Sequence, residues 1–191
     1  MSQTVGVVGL GLMGGAIARN LVDRGWRVLG ADVNRDRCRE LAATGVEIPA
    51  TISVLVHAAP LILTSLPSPA AAHAVASEIA SAAAPKRIVA ELSTFAIADK
   101  LAFRERLVGA GHVALDCPLS GTGAQAMTRD LVAYCSGDSD AVTTLGPLFR
   151  DFARKAVDLG AYGNGSRMKY VANLLVAIHN VAAAEAMGVA M

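Results

Sequence analysis

The stretch GVVGLGLMGGAIARN, residues 6–20, constrains the fold more than any other part of the chain. It places Gly9, Gly11 and Gly14 between an apolar run and a helical pattern, although glycine weakens both helices and strands. Glycines spaced as G-x-G-x-x-G permit a tight turn, a close approach of the backbone to a pyrophosphate, and close packing of helix on strand. The motif alone is a weak signal, but here it follows an apparent strand and opens an apparent helix. The sequence therefore predicts a dinucleotide-binding turn.

The order of the other elements indicates the fold class. Short apolar runs alternate with helical patterns, which predicts a Rossmann-type α/β fold with a doubly wound, mostly parallel sheet. We expect strands at Thr4–Val8, Arg27–Asp32, Leu61–Ser65, Ile88–Glu91 and His112–Asp116, with weaker candidates at Leu131–Ser136 and Lys155–Asp158. We expect helices at Met13–Arg24, Arg35–Thr44, Ala70–Ala83, Ala98–Ala110 and Asp140–Arg150.

The last part of the chain follows a different pattern. From Ser166 the sequence reads as one helix that is apolar on nearly every side, and such a helix must be buried. Nothing follows Met191 to cover it, so either the chain is a fragment of a longer protein or a second subunit supplies the cover. The predicted division is a dinucleotide-binding domain over residues 1–163 and a long interdomain helix over residues 164–191.

Composition excludes several classes of function. Lys and Arg total 17 against 16 for Asp and Glu, so nothing indicates binding to nucleic acid or to an anionic membrane surface. The 53% of hydrophobic residues, against 17% charged, favours a homo-oligomer, either a dimer or a tetramer. The longest apolar stretch, 171–191, is interrupted by Asn173, His179, Asn180 and Glu185, so we expect no transmembrane segment.

The cysteines and histidines carry no metal or disulfide pattern. Cys38, Cys117 and Cys135 are odd in number and far apart, which is typical of reduced thiols in the cytoplasm. The start of the chain shows no signal peptide, which also favours a cytoplasmic protein. The histidines lie in separate elements without ligand spacing, and we expect no bound metal.

An acidic residue at the end of the second strand is the candidate ribose ligand. Asp32 follows Gly14 by 18 residues, and an acid there accepts hydrogen bonds from ribose hydroxyls and repels a 2′-phosphate. This favours NAD, whereas Arg35 just beyond could bind that phosphate and so favour NADP. Asp32 could instead be a helix N-cap and Arg35 a solvated charge. The predicted cofactor set also includes Leu10, Gly11, Leu12, Met13 and Asn34.

A second segment, DCPLSGTGAQA over residues 116–126, is the candidate substrate loop. Its turn from Ser120 to Gly123 is rich in hydroxyl and N–H groups, and we expect it to be flexible. Ligands of open α/β sheets bind beyond the carboxyl ends of the strands, so this turn lies on the cofactor side. An ordinary surface turn is the alternative interpretation.

Lys169 and Asn173 form the third signal. They are four residues apart on the last helix and share a face. If the helix begins at Ser166, Lys169 lies in its first turn, where the helix dipole disfavours an ammonium group. Partial burial also lowers a lysine pKa, which suits a general acid or base. The alternative is a solvated lysine at the start of a helix.

Together these segments resemble one family, the β-hydroxyacid dehydrogenases. GLGLMGGAIARNL, TSLPS, ELST, DCPLSGTGAQA and GNGSRMKYVAN occur in the order and approximate spacing of that family. The resemblance implies a nucleotide-binding domain, a long interdomain helix and an all-helical C-terminal domain. That last domain is missing here, so Met191 is expected to be a truncation point.

The resemblance also implies residue roles. Lys169 matches the catalytic lysine, Asn173 a substrate ligand, and Ser120, Gly121 and Thr122 the substrate-binding loop, although Thr122 stands where glycine is usual. Further residues match the loops around the adenosine and nicotinamide portions: Leu66, Pro67, Ser93 and Thr94.

The implied reaction is hydride transfer between NAD or NADP and a short hydroxyacid, with Lys169 as general acid and base. The segment SRMK, residues 166–169, lacks the histidine before the lysine that is typical of phosphogluconate-decarboxylating members of the family. Imine reductases usually lack this lysine. The alternative is a non-catalytic nucleotide-binding or regulatory module, or an inactive fragment of such an enzyme.

Overall fold

A computed structural model describes residues 3–190, and its centre is a parallel sheet of five strands. The strand order is β2-β1-β3-β4-β5, as in doubly wound nucleotide-binding folds, and it confirms the predicted fold class. The strands are β1 Thr4–Val8, β2 Arg27–Ala31, β3 Leu61–Thr64, β4 Ile88–Glu91 and β5 Val113–Asp116. Each lies within one residue of its predicted bounds.

Helices cover both faces of this sheet. The alternation of side chains along each strand sends Val7 and Leu63 into one core and Val8 and Ile62 into the other. The first core includes residues of α1, and the second includes residues of α3, α4 and α5. The bounds are α1 Leu12–Asp23, α2 Arg35–Ala42, α3 Ile52–Ala58, α4 Pro69–Ser81 and α5 Ile97–Gly109. The short helix α3 was not predicted.

The rest of the domain forms a smaller mixed sheet rather than extending the parallel one. Its order is β6-β7-β8, with β6 antiparallel to β7 and β7 parallel to β8. An antiparallel bridge between Asp116 and Ser136 connects it to β5. The bounds are β6 Leu119–Ser120, α6 Gly123–Met127, β7 Val132–Cys135, α7 Ser139–Phe152 and β8 Lys155–Asp158. Elements as short as β6 and α6 leave no periodic pattern in a sequence, and neither was predicted.

The last helix, α8 Asn164–Val189, differs from the prediction in two ways. It begins two residues before Ser166, and its large apolar side chains are exposed rather than buried. Within the helix, only Gly165 and Ser166 are buried. By length and composition α8 could cross a membrane, which is a weak indication because core helices of soluble proteins pass the same test. The residues that the structure describes do not cover this helix.

Candidate active site

Two glycines of the first turn are required by close contacts. Gly9 adopts a φ of +90°, and a Cβ added there would lie 2.1 Å from the carbonyl oxygen of Ser65. A Cβ added to Gly14 would lie 1.9 Å from the carbonyl oxygen of Gly9. At Gly11, by contrast, an added Cβ would meet nothing within 4 Å. The turn therefore packs tightly on β3 and α1 and leaves an open approach to its backbone at Gly11.

A cavity of about 710 Å³ lies against this turn. Its size is sufficient for a large organic ligand. Seven of the predicted cofactor residues line it: Gly9, Gly11, Leu12, Met13, Asp32, Leu66 and Pro67. The other six lie outside its lining: Leu10, Gly14, Asn34, Arg35, Ser93 and Thr94. Leu10 buries its side chain in the core, so only its backbone faces the turn.

Asp32 connects the second strand to the glycine turn. Its carboxylate accepts the N–H of Leu10 at 2.6 Å and the N–H of Asn34 at 2.8 Å. The N-cap of α2 is Asn34, whose side chain accepts the N–H groups of Asp36 and Arg37. Asp32 is therefore not the helix cap, and its half-buried carboxylate remains at the edge of the cavity.

Ser93 joins two loops at the carboxyl ends of β3 and β4. Its hydroxyl accepts the N–H of Leu66 at 2.8 Å, and its own N–H donates to the Glu91 carboxylate at 2.9 Å. Thr94 is exposed beside it. The Ser93 side chain thus fixes the loop that carries Leu66 and Pro67 on the cavity wall.

The structure brings Lys169 and Ser120 together. Lys169 Nζ lies 3.5 Å from Ser120 Oγ, at a half-buried position. Burial lowers the pKa of Lys169 below its ordinary value. The proposed contribution of the helix dipole was wrong, because α8 begins at Asn164 and Lys169 is beyond the first turn. Asn173, one turn further along, is exposed.

The Ser120 turn is more ordered than expected. Thr122 caps α6: its hydroxyl accepts the N–H of Gln125, and the Gln125 side chain accepts the N–H of Thr122. A Cβ added to Gly123 would lie 2.6 Å from Leu12 Cδ2. Leu12 follows Gly11, so the turn that bears Ser120 lies directly beside the glycine turn. The hydroxyl of Thr122 supports the loop instead of facing solvent freely.

A buried ionic cluster under the site was missed by the sequence analysis. Lys100 is 1% exposed and contacts the carboxylates of Glu91 and Asp116, which are both fully buried. The Lys100 ammonium also donates to the carbonyl oxygen of Ser93 at 2.7 Å. The signal was present in the sequence, because Lys100 lies one turn before Phe103 on the buried face of α5.

The cluster holds two carboxylates and one ammonium group. Burial alone would lower the pKa of Lys100, but the neighbouring Glu91 and Asp116 carboxylates outweigh it and raise that pKa. Burial raises the pKa of Glu91, against the opposing influence of Lys100. The ammonium group therefore stays charged, because it contacts both carboxylates.

A family profile described as the NAD binding domain of 6-phosphogluconate dehydrogenase matches residues 4–161, which is most of the chain. The chain belongs to this family. The match ends three residues before α8 begins.

Relatives in the family are similar over nearly the whole chain. An L-threonate dehydrogenase from Cupriavidus necator is 31% identical over 100% of this chain and 66% of its own length. A Mycobacterium tuberculosis 3-hydroxyisobutyrate dehydrogenase, solved with L-serine, is 28% identical with a TM-score of 0.93, over 97% of this chain and 64% of its own. A Streptomyces aurantiacus imine reductase is 25% identical with a TM-score of 0.83, over 91% of this chain and 61% of its own. The chain thus spans about two thirds of the length of these relatives.

Proposed function

We propose that this chain is the nucleotide-binding portion of an oxidoreductase that transfers a hydride between NAD or NADP and a short-chain hydroxyacid. The observation that carries the proposal is the approach of Lys169 Nζ to Ser120 Oγ, beside the glycine turn. The names of the relatives support a hydroxyacid substrate. Imine reductases share the fold, so the lysine rather than the fold favours a dehydrogenase.

The chain supplies binding and proton transfer. Bound nicotinamide supplies the hydride acceptor or donor. Lys169 takes the hydroxyl proton during oxidation and returns it during reduction, a role that a lowered pKa favours. Ser120 and the adjacent N–H group of Gly121 hold the substrate carboxylate, and Asn173 assists one turn beyond Lys169. The Thr122 N–H is already accepted by Gln125, which leaves the serine hydroxyl as the principal donor of this loop.

NAD is the favoured cofactor. The Asp32 carboxylate at the cavity edge repels a 2′-phosphate. Of the basic residues on α2, Arg37 forms an ion pair with Glu40, and Arg39 forms one with Asp36. Arg35 is exposed and does not line the cavity, so NADP remains the alternative through that residue.

The direct test compares Lys169→Ala with wild type and with Lys155→Ala, which removes an exposed lysine from β8. Absorbance of the reduced cofactor is followed with NAD and NADP against a panel of small hydroxyacids. We expect Lys169→Ala to keep its affinity for the cofactor and to lose about 10²- to 10⁴-fold in turnover, the usual contribution of general acid–base catalysis. Lys155→Ala turns over like wild type. Equal rates in all three proteins would refute the role of Lys169.

The second candidate function is a nucleotide-binding or regulatory module without turnover. The observation that favours it is the cavity at the glycine turn, whose lining includes predicted cofactor residues but neither Lys169 nor Ser120. In that case the wild-type chain binds NAD or NADP but oxidises no hydroxyacid in the panel, even at high enzyme concentration. Tight cofactor binding with no turnover would thus favour the module.

We further infer a cytoplasmic homo-oligomer, a dimer or tetramer, in which residues 1–163 form the nucleotide-binding domain and residues 164–191 the interdomain helix. The exposed apolar side chains of α8 support the oligomer, because exposed apolar surface of this extent marks interfaces. Sedimentation equilibrium tests it: a mass of one chain at all concentrations would contradict the oligomer. Replacing Leu174 and Ile178 by Gln should shift the equilibrium towards the monomer.

A further inference from the structure

The start of α8 is capped from a distance. Its N-cap residue, Gly163, has no side chain and a φ of +94°, so it cannot satisfy the free N–H groups of the first turn. Those groups donate instead to buried residues far away in sequence. The Gly165 N–H donates to Ser136 Oγ at 2.9 Å, and the Ser166 N–H donates to Asp116 Oδ2 at 2.8 Å.

Asp116 is the centre of this arrangement. Its other carboxylate oxygen accepts the Ser166 hydroxyl at 2.8 Å and contacts the Lys100 ammonium at 3.0 Å. The Ser136 hydroxyl donates to the backbone carbonyl of Asp116 at 3.1 Å and contacts Oδ2 at 3.3 Å. Both carboxylate oxygens are thus occupied by donors, which an amide with a single acceptor oxygen could not satisfy.

The packing around this contact leaves little freedom. A Cβ added to Gly165 would lie 2.2 Å from the carbonyl oxygen of Tyr134 and 2.7 Å from that of Asp116. Asp116 and Ser166 are fully buried. The first turn of α8 is therefore fixed against β5 and β7, and its direction is set before the helix leaves the domain.

We propose that Asp116 is a positioning residue, which holds the Lys169 amine opposite Ser120 by anchoring both of their segments to one carboxylate. Ser120 follows Asp116 by four residues, and Lys169 follows Ser166 by three, about one helical turn on the same face. Through Lys100 the same carboxylate is connected to Ser93, whose hydroxyl holds the Leu66 loop. The catalytic meaning of this arrangement rests on the proposed function.

The test uses two site variants and one matched control. Asp116→Asn removes the charge and one acceptor, and Ser166→Ala removes one hydroxyl while keeping the helix N–H and the carboxylate. Asp151→Asn is the control, because its carboxylate also accepts a hydrogen bond, from Trp26 Nε1 at 2.8 Å, but does not touch α8 or Ser120. Each protein is the whole 191-residue chain, whose four lysines are Lys86, Lys100, Lys155 and Lys169.

The readout is the pKa of Lys169, followed by NMR of the lysine side chains and assigned with Lys169→Arg. A residue that only stabilises the fold would lower the free energy of unfolding without moving this pKa. We expect the pKa of Lys169 to rise towards its ordinary value in Asp116→Asn, to rise less in Ser166→Ala, and to stay unchanged in Asp151→Asn. In proteins with turnover, kcat should fall by about 100-fold in Asp116→Asn with little change in KM, because misplacement of about 1 Å has effects of that size.

An unchanged Lys169 pKa in Ser166→Ala would overturn the proposal, and this variant decides alone if Asp116→Asn does not fold. A Lys169 that titrates in the wild type like a free lysine side chain would overturn it as well. The proposed function fails separately: the expected pKa shifts without any hydride transfer would refute the dehydrogenase and leave the positioning role intact.

Discussion

Lys169 Nζ and Ser120 Oγ lie 3.5 Å apart, although 49 residues separate them in the chain. Two elements create this contact, the two-residue strand β6 and the second turn of α8. A half-buried amine beside a hydroxyl can exchange a proton with a ligand bound there, because its pKa is lowered by burial. The activity of the site should therefore depend on the protonation state of this amine.

The pH dependence should have opposite signs in the two reaction directions. Oxidation needs the neutral amine of Lys169 as base, so its kcat/KM should fall as pH falls through the lowered pKa. Reduction needs the ammonium form, so its kcat/KM should fall as pH rises through the same value. Initial rates over a pH series in both directions measure this, with Lys155→Ala as the control that keeps both profiles. Profiles that rise together would contradict a single proton shared by both directions.

Asp32→Asn should relax the choice of cofactor. The amide keeps an oxygen that can accept the Leu10 N–H but loses the charge that repels a 2′-phosphate. We expect the affinity for NADP relative to NAD to increase about tenfold, or ~1.4 kcal/mol. Titration calorimetry with both cofactors measures the ratio. Asp36→Asn, on the exposed surface of α2, should leave it unchanged, and an equal change in both variants would show only a general field effect.

The strands of the main sheet could be predicted because the burial of each strand is visible in its own short run of apolar residues. Leu61–Thr64 and Ile88–Glu91 are short apolar runs between turns, and both faces of the sheet demand such runs. The glycine turn could also be predicted, since its G-x-G-x-x-G spacing is contained within six consecutive residues. The Lys169–Ser120 pair was reached through residue types and a family resemblance rather than through local pattern.

The remainder depends on contacts that no local pattern encodes. The antiparallel reversal at β6 follows from the pairing of Leu119 with Ala133, and it moves β7 out of the parallel sheet. The capping of α8 by Asp116 joins residues 50 apart, so the beginning of that helix was placed too late. Lys100 was overlooked because a lysine on a helix is normally assigned to solvent. These long-range polar contacts determine the site, whereas the fold follows from apolar periodicity.

Gly14→Ala should destabilise the domain, in contrast to an alanine at another helical glycine. The new Cβ would collide with the Gly9 carbonyl, and this backbone cannot move without disturbing the turn. We expect a loss of about 1–3 kcal/mol in the free energy of unfolding, together with weaker cofactor binding. Gly109→Ala, at the last residue of α5, meets nothing within 4 Å and should stabilise by about 0.4–1 kcal/mol. Urea unfolding measures the free energy of unfolding of both variants. Equal stability changes in the two variants would contradict the packing argument.

Lys100→Met should be the most damaging single substitution under the site. It leaves the Glu91 and Asp116 carboxylates buried without their cation, and breaking a buried pair in this way costs about 3–5 kcal/mol. Burial raises the pKa of Glu91, and the variant removes the cation that opposes this rise, so the loss is largest at neutral pH and shrinks as pH falls and the buried carboxylate becomes protonated. The control Arg39→Met removes an exposed pair with Asp36 and should change stability by less than about 1 kcal/mol. Urea unfolding at neutral and mildly acidic pH measures both, and a loss in Lys100→Met that grew on acidification would mean that the carboxylates are not the source of the instability.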